Sequence, residues 1–264
     1  MQPGQVDLDY ELDHVITDNL LPDLDFLFRR MSEATVRTVA ETPPGLVLDV
    51  GSGASRELLR LSELGWQAVA VDPSPHMLGM ARLAGAEVAH VHLVRAIGER
   101  LPFADGTFDA VISQAALDHF ADPAAFMAEA ARVLRPTGRV VILLHNFGGL
   151  TTRLGKLLHP LARVTRLHHC ADWPCWEIPP DHTFKGEWRT VRALGGPWLR
   201  LERAYGISLL CMFYGWGRLL RRLPDAVAQR LLHALDRLAY GRPAWSDVIV
   251  SVWRPKSAQR SDAS

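Results

Sequence analysis

Residues 46–55 read LVLDVGSGAS, and the next apolar run, QAVAVD at 67–72, ends on Asp72. The first five residues form a continuous apolar strand signal, introduced by the breaker TPPG and stopped by two glycines one residue apart. Between the runs, Leu58, Leu59, Leu61 and Leu64 fall on one helical face and Gly65 supplies the stop. A strand, a glycine turn, a helix and a second strand with an acid at its tip make one parallel βαβ unit. In such a unit the glycines let backbone N–H groups approach a ligand at a helix N-terminus, and Asp72 is placed to accept hydrogen bonds from ribose hydroxyls.

Outward from this unit the alternation continues. Met77, Leu78, Ala81 and Leu83 suit a helix after Asp72, 88–94 reads as a third strand, and FDAVIS at 108–113 as a fourth. Asp122 with Pro123 opens a helix to about Leu134, after which RPTG is expected to turn the chain into the apolar strand RVVILLH. Five strands alternating with helices predict a parallel sheet covered on both faces. Beyond His145 the pattern breaks into a segment rich in Pro, His and Trp, 146–196, with one helix expected at 150–167; it reads as a cap inserted over the C-terminal edge of the sheet. A strand at 198–206, a long helical region at 207–240 and a last strand at 247–253 follow, and the polar tail from 255 reads as disordered.

Composition sets outer limits. With 48% hydrophobic residues, the 264-residue chain can bury a large core as one main domain. Lys plus Arg and Asp plus Glu both number 29, so bulk charge gives no reason to expect a nucleic-acid partner. The acidic N-terminus lacks a signal-peptide pattern, and the longest uncharged stretch, 204–217, is shorter than the roughly 20 apolar residues a bilayer requires. Three cysteines, an odd number, fit a reducing compartment, so a cytoplasmic protein is expected.

Two features separate the glycine loop from a nicotinamide-dinucleotide fingerprint. That fingerprint wants a third Gly or Ala for helix packing where Arg56 stands, and Asp49 would repel a pyrophosphate but attract an ammonium group. The motifs VLDVGSGAS, AVDPSPHML, ERLPFADGTFDAVIS and DPAAFMAEAARVLRPTGRVVI, collinear from about Leu46 to His145, resemble those of the class I S-adenosylmethionine (SAM) dependent methyltransferases of small molecules and lipids. The resemblance implies a Rossmann-like, doubly wound α/β fold with a seven-stranded, mostly parallel sheet whose last strand is antiparallel. It implies SAM as cofactor, with Asp49, Gly51, Ser52 and Gly53 around its methionine part, Asp72 and Pro73 at the ribose, Met77 near the adenine, and Ser113 and Gln114 bordering the sulfonium. Ser55 stands in place of a third motif glycine. Ile97, Gly98 and Glu99 stand where many relatives carry Asp-Ala-Glu, so a backbone carbonyl takes over the contact to the adenine amino group.

A sulfonium methyl needs an aligned acceptor more than it needs a base. If a base acts, His119, with Asp118 beside it, is the best placed, just after the fourth strand; packing or capping is the competing reading. His145, Trp176, Asp181 and His182 are the expected contacts to a small-molecule or lipid-like acceptor. The run HHCADWPCW at 168–176 holds zinc-type donors but lacks a second ligand pair at normal spacing, and no metal is assigned. The leucines and arginines of 207–240 would more ordinarily pack on the sheet or on a second subunit than lie on a membrane. The domain reading is an N-terminal helical lid (1–45), the cofactor-binding core (46–145), the cap (146–196) and a C-terminal part completing the sheet (197–254). The rival reading is a non-catalytic binding or assembly subunit that keeps the fold.

Overall fold

The computed structural model describes residues 20–164 and 182–256. Its centre is one seven-stranded sheet of β1 (Leu46–Val50), β2 (Gln67–Val71), β3 (Val91–Val94), β4 (Phe108–Gln114), β5 (Leu134–His145), β6 (Leu199–Ile207) and β7 (Val248–Pro255). The strand order is β3-β2-β1-β4-β5-β7-β6. The first five strands are parallel, and β7 runs antiparallel between β5 and β6. The chain builds outward from β1 to β2 and β3, then crosses to the other side of β1 for β4. This reversal opens a crevice at the carboxyl ends of β1 and β4, where doubly wound sheets take their ligands.

Apolar layers cover both faces of the sheet. On one, α1 (Pro22–Val39) and α2 (Arg56–Glu63) bury Leu27, Met31, Val39, Leu58 and Leu61 against Val47, Ala70, Ile112 and Val141. On the other, α4 (Pro123–Val133) buries Phe126, Met127, Ala130 and Val133, a spacing that keeps one helical face on Val111, Val140 and Ile142. Asp122 caps α4 by accepting from the N–H groups of Ala124 and Ala125 at 2.9 and 3.1 Å, an arrangement worth about 1 kcal/mol. The third helix, α3 (Pro75–Leu83), is capped by Ser74.

The strand and helix alternation and the antiparallel last strand agree with the sequence reading. Several local expectations need correction. Leu83 and Val88 are 85% and 86% exposed, so α3 does not bury its last residue and β3 begins only at Val91. β5 starts earlier than expected, with Leu134 already paired to Phe108, but RPTG does loop out of the ladder, and continuous pairing with β4 resumes only at Arg139, opposite Ala110. Pro255 belongs to β7 rather than to a tail. Within 146–196, α5 (Leu150–Val164) and α6 (Trp188–Ala193) are formed, and Val191 and Leu194 join the core beside Leu199 and Trp253.

The region 207–240 is not one helix. It holds α7 (Trp216–Arg221) and α8 (Asp225–Tyr240), with Pro224 as the N-cap of α8. Before them, Ser208, Leu210 and Met212 adopt left-handed backbone angles. There the N–H groups of Ser208, Cys211 and Met212 donate to the carboxylates of Asp236, Asp247 and Asp23 at 3.1, 2.9 and 2.9 Å, and that of Leu210 to the Thr151 hydroxyl at 2.9 Å. Such bonds replace those a helix would have made. Burial pushes Asp247 up to about 6, against the hydrogen bonds from Thr151 and Cys211. Among the described residues, no helix is long and apolar enough to cross a membrane.

At the opposite end of the sheet from the crevice, Asp109 accepts from the Leu46 N–H at 2.9 Å and from Arg135 at 2.7 Å. Burial raises its pKa, but these two partners outweigh burial and hold the carboxyl below its usual range. A depressed folded-state pKa adds stability that is present above the ordinary carboxylate value and is lost as pH falls through the folded value. Asp109→Ala is therefore expected to lower the denaturant-unfolding free energy by about 1 kcal/mol at neutral pH. The difference from wild type should shrink in titrations carried below about pH 4; a gap that is constant with pH would contradict the assignment.

Candidate active site

The crevice is built on the turn that follows β1. Gly51 and Gly53 have φ of +71° and +49°, and Ser55, at the N-cap of α2, also adopts a left-handed conformation. The N–H groups of Gly51 and Ser52 donate to the carbonyl of Val71 at 2.8 and 3.1 Å, which ties the turn to the end of β2. A Cβ on Gly51 would lie 2.4 Å from that of Ala116, so the chain leaving β4 presses directly against this glycine. Gly98 is packed likewise, with its would-be Cβ 3.0 Å from Phe120 and 3.1 Å from Val50. The turn at Leu117–His119 is thus flanked by Ala116 and Phe120, which rest on Gly51 and Gly98 respectively.

Three carboxylates meet around this turn. Asp49 is buried; burial first, then the neighbouring charges of Glu57 and Asp72, push its pKa well above the usual range. Asp72 accepts from the N–H of Gly53 through one oxygen and from that of Ser74 through the other, both at 2.9 Å. Burial raises its pKa, and those two bonds oppose the rise. Glu57 accepts from the Gln114 side-chain amide at 3.1 Å, and Gln114 in turn accepts from the Thr35 hydroxyl at 2.6 Å, so α1 is tied to the site through β4. Among the described residues, no Lys or Arg pairs with Asp49, Glu57 or Asp72.

The remaining expected cofactor residues fall around the same end of the sheet. Met77 is buried in α3 and the Pro73 carbonyl accepts from Arg95. The Ile97 carbonyl accepts from the N–H of Arg100, and Glu99 accepts from the N–H of Asp122 at the start of α4. Ser113 is fully buried on β4. Beside the turn at Leu117–His119, ring contacts join His119 to His182 (4.6 Å), His182 to Phe147 (5.9 Å) and Phe147 to His145 (4.6 Å). His182 Nδ1 lies 3.3 Å from a carboxylate oxygen of the buried Asp118. Trp176 and Asp181 lie outside the described residues, as do His168, His169, Cys170 and Cys175. Glu57, Thr35 and Phe147 were not singled out by sequence reasoning. Only Glu57, an acid in the first turn of the helix behind the glycine loop, left a signal there.

This arrangement defines a Rossmann-like nucleotide-cofactor site that is acidic where a dinucleotide site would favour an anion. Residues 48–142 match the family model for a methyltransferase domain. An uncharacterized methyltransferase of Mycobacterium tuberculosis is 42% identical over 115 residues, 42% of this chain and 46% of that protein. The demethylmenaquinone methyltransferase of Clavibacter sepedonicus is 39% identical over 111 residues, 41% and 44% of the respective chains. The chain thus spans a little under half the length of these curated relatives. The solved structure of a putative sarcosine dimethylglycine methyltransferase from Galdieria sulphuraria shares the fold at a TM-score of 0.58 and 14% identity, covering 95% of this chain and 93% of that one. Residues 48–142 of this chain are thus similar to the methyltransferase domain, and the class I methyltransferases they resemble use SAM as cofactor.

The residues present fit that cofactor. Among the described residues, Asp49 Oδ1 and the hydroxyls of Ser52 and Ser55 are buried with no hydrogen-bond partner, an expensive arrangement unless a ligand satisfies them. The surplus of negative charge suits an ammonium and a sulfonium. Gly51→Ala should be costly on both counts. The left-handed backbone costs about 1–2 kcal/mol for a residue with a Cβ, and the clash with Ala116 adds to it. Thermal unfolding and SAM titration calorimetry are expected to show a lower midpoint and weaker binding, with partial recovery in Gly51→Ala/Ala116→Gly. Unchanged affinity in the single variant would contradict the close approach.

Proposed function

We propose that this chain transfers a methyl group from SAM to a small-molecule or lipid-like acceptor seated beside the turn at Leu117–His119. The observation that carries the reading is the buried Asp49 oxygen that has no hydrogen-bond partner among the described residues, set among three carboxylates to which no described cation is paired. SAM, when bound, supplies an electrophilic methyl, so the chain's task is to hold, orient and exclude water. Asp49 attracts the positively charged amino-acid end, the N–H groups and hydroxyls of the glycine turn satisfy its polar atoms, and the spare lone pairs of Asp72 accept from ribose hydroxyls. Met77 and the Ile97–Glu99 segment border the adenine. Ser113 and Gln114 lie at the end of β4, on the way to the acceptor.

His119 is the group assigned to take an acceptor proton where one is lost, with His182, His145, Asp181 and Trp176 forming the acceptor wall. The name of the Clavibacter relative supports an acceptor of the quinone-precursor kind, a ring-bearing molecule with an apolar tail. A second reading, a binding subunit on the same fold, draws on Ile97 standing where relatives carry an acid.

Incubating the full chain with methyl-labelled SAM and a lipid and small-molecule extract separates the two. Methyl transfer predicts a labelled product with a mass gain of one methyl, abolished in Asp72→Ala together with most of the SAM affinity. Retained SAM binding with no labelled product would favour the binding-subunit reading, and no SAM binding by the wild type would remove both the methyl transfer and the cofactor assignment.

A further inference from the structure

Asp118, His119 and His182 stand on the acceptor side of the crevice, and their ligand-type atoms all lie within 4.8 Å of one another. We infer that these three side chains form a binding site for one divalent transition-metal ion of the zinc or iron(II) class. The inference rests on the methyl-transfer reading only for the place of the acceptor: with the ion bound, His119 serves as a ligand in place of its role as base, while SAM holding depends on the other wall of the crevice.

Four features point to a built site. The donor set is two imidazoles and one carboxylate, which suits borderline first-row metals and leaves the remaining coordination positions for water or an acceptor oxygen. The 3.3 Å separation between His182 Nδ1 and Asp118 Oδ2 matches the edge of a tetrahedron whose bonds are about 2.0–2.1 Å long, roughly 3.3–3.4 Å. Asp118 is only 5% exposed, its other oxygen has no hydrogen-bond partner, and among the described residues its one ion pair is with His182. A carboxylate buried that deeply calls for a cation.

The fourth feature is the scaffold. His182 comes from a distant part of the chain, yet its neighbour Thr183 donates its N–H to the Asp118 carbonyl at 2.7 Å and its hydroxyl to the carbonyls of Asp118 and Phe120. Further along, the Phe147 N–H donates to the Gly186 carbonyl at 2.8 Å, and a Cβ on Gly186 would meet the His145 carbonyl at 2.3 Å. The 182–186 segment is thus fastened on one side to the turn carrying Asp118 and His119 and on the other to the end of β5. Holding donors in place before the ion arrives lowers the ordering cost of binding.

The test uses the full-length chain, stripped with a chelator and then titrated with cobalt(II) and with zinc(II). About one equivalent of cobalt should bind with the intense d–d absorption of a low-coordinate site, zinc should displace it, and zinc should shift the ring resonances of His119 and His182 in the wild-type protein. Asp118→Asn, close to isosteric, and His182→Gln should each weaken binding at least about tenfold, while His145→Gln and Cys170→Ser/Cys175→Ser bind as wild type. SAM affinity, measured on the same samples, reports separately on the cofactor pocket and on folding. Absence of stoichiometric cobalt binding, unmoved His119 and His182 resonances, or binding lost in the cysteine variant but kept in Asp118→Asn would each overturn the site.

Discussion

A carboxylate buried at the end of the first strand, beside two more carboxylates and with no basic side chain paired to it among the described residues, is the constraint around which this molecule is arranged. Burying Asp49 is unfavourable, and Glu57 and Asp72 make it more so. The core surrounding it is therefore paying, in folding stability, for a site whose energetics are completed by a cation. Such strain is tolerable because the sheet on either side is fully covered and the turn is pinned to β2 through the Val71 carbonyl.

Topology decides where that carboxylate can do chemistry. The reversal of strand order between β1 and β4 leaves the glycine turn and the Leu117–His119 turn side by side, in contact through Gly51, Gly98, Ala116 and Phe120. One turn carries the groups suited to the adenosyl and methionine parts of SAM; the other carries Asp118 and His119, to which Thr183 fastens the segment bearing His182. The two turns thus bring the acidic groups beside the glycines and the imidazoles beside Asp118 to the same end of the sheet.

Much of this was legible in the chain because its cause is local. Apolar runs of strand length, the glycine pair and the acid closing the second strand are written in neighbouring residues, and the positions of β1, β2, β4 and α4 follow from them. Residues acting over long separations were not legible. Thr35 reaches Gln114 across 79 positions, and Met212 finds its carboxylate 189 positions earlier at Asp23, so the bonds that break the expected long helix at 207–240 leave no periodic trace. Leu83 and Val88 misled for the opposite reason: apolar residues at the right spacing were read as buried, although exposed leucines and valines are common at the ends of elements. The pairing of His182 with Asp118 could not be read from either residue's surroundings in sequence.

The most direct measurement is the titration of the Asp49 carboxyl itself, followed by carbon NMR in protein labelled at aspartate, assigned with Asp49→Asn, and repeated with saturating SAM. In the free protein the group should take up its proton well above the ordinary aspartate range, and bound SAM should move that titration sharply downward, since a cation favours the ionised form. An Asp49 that titrates like an exposed aspartate, or that is indifferent to SAM, would contradict the cation-completed pocket.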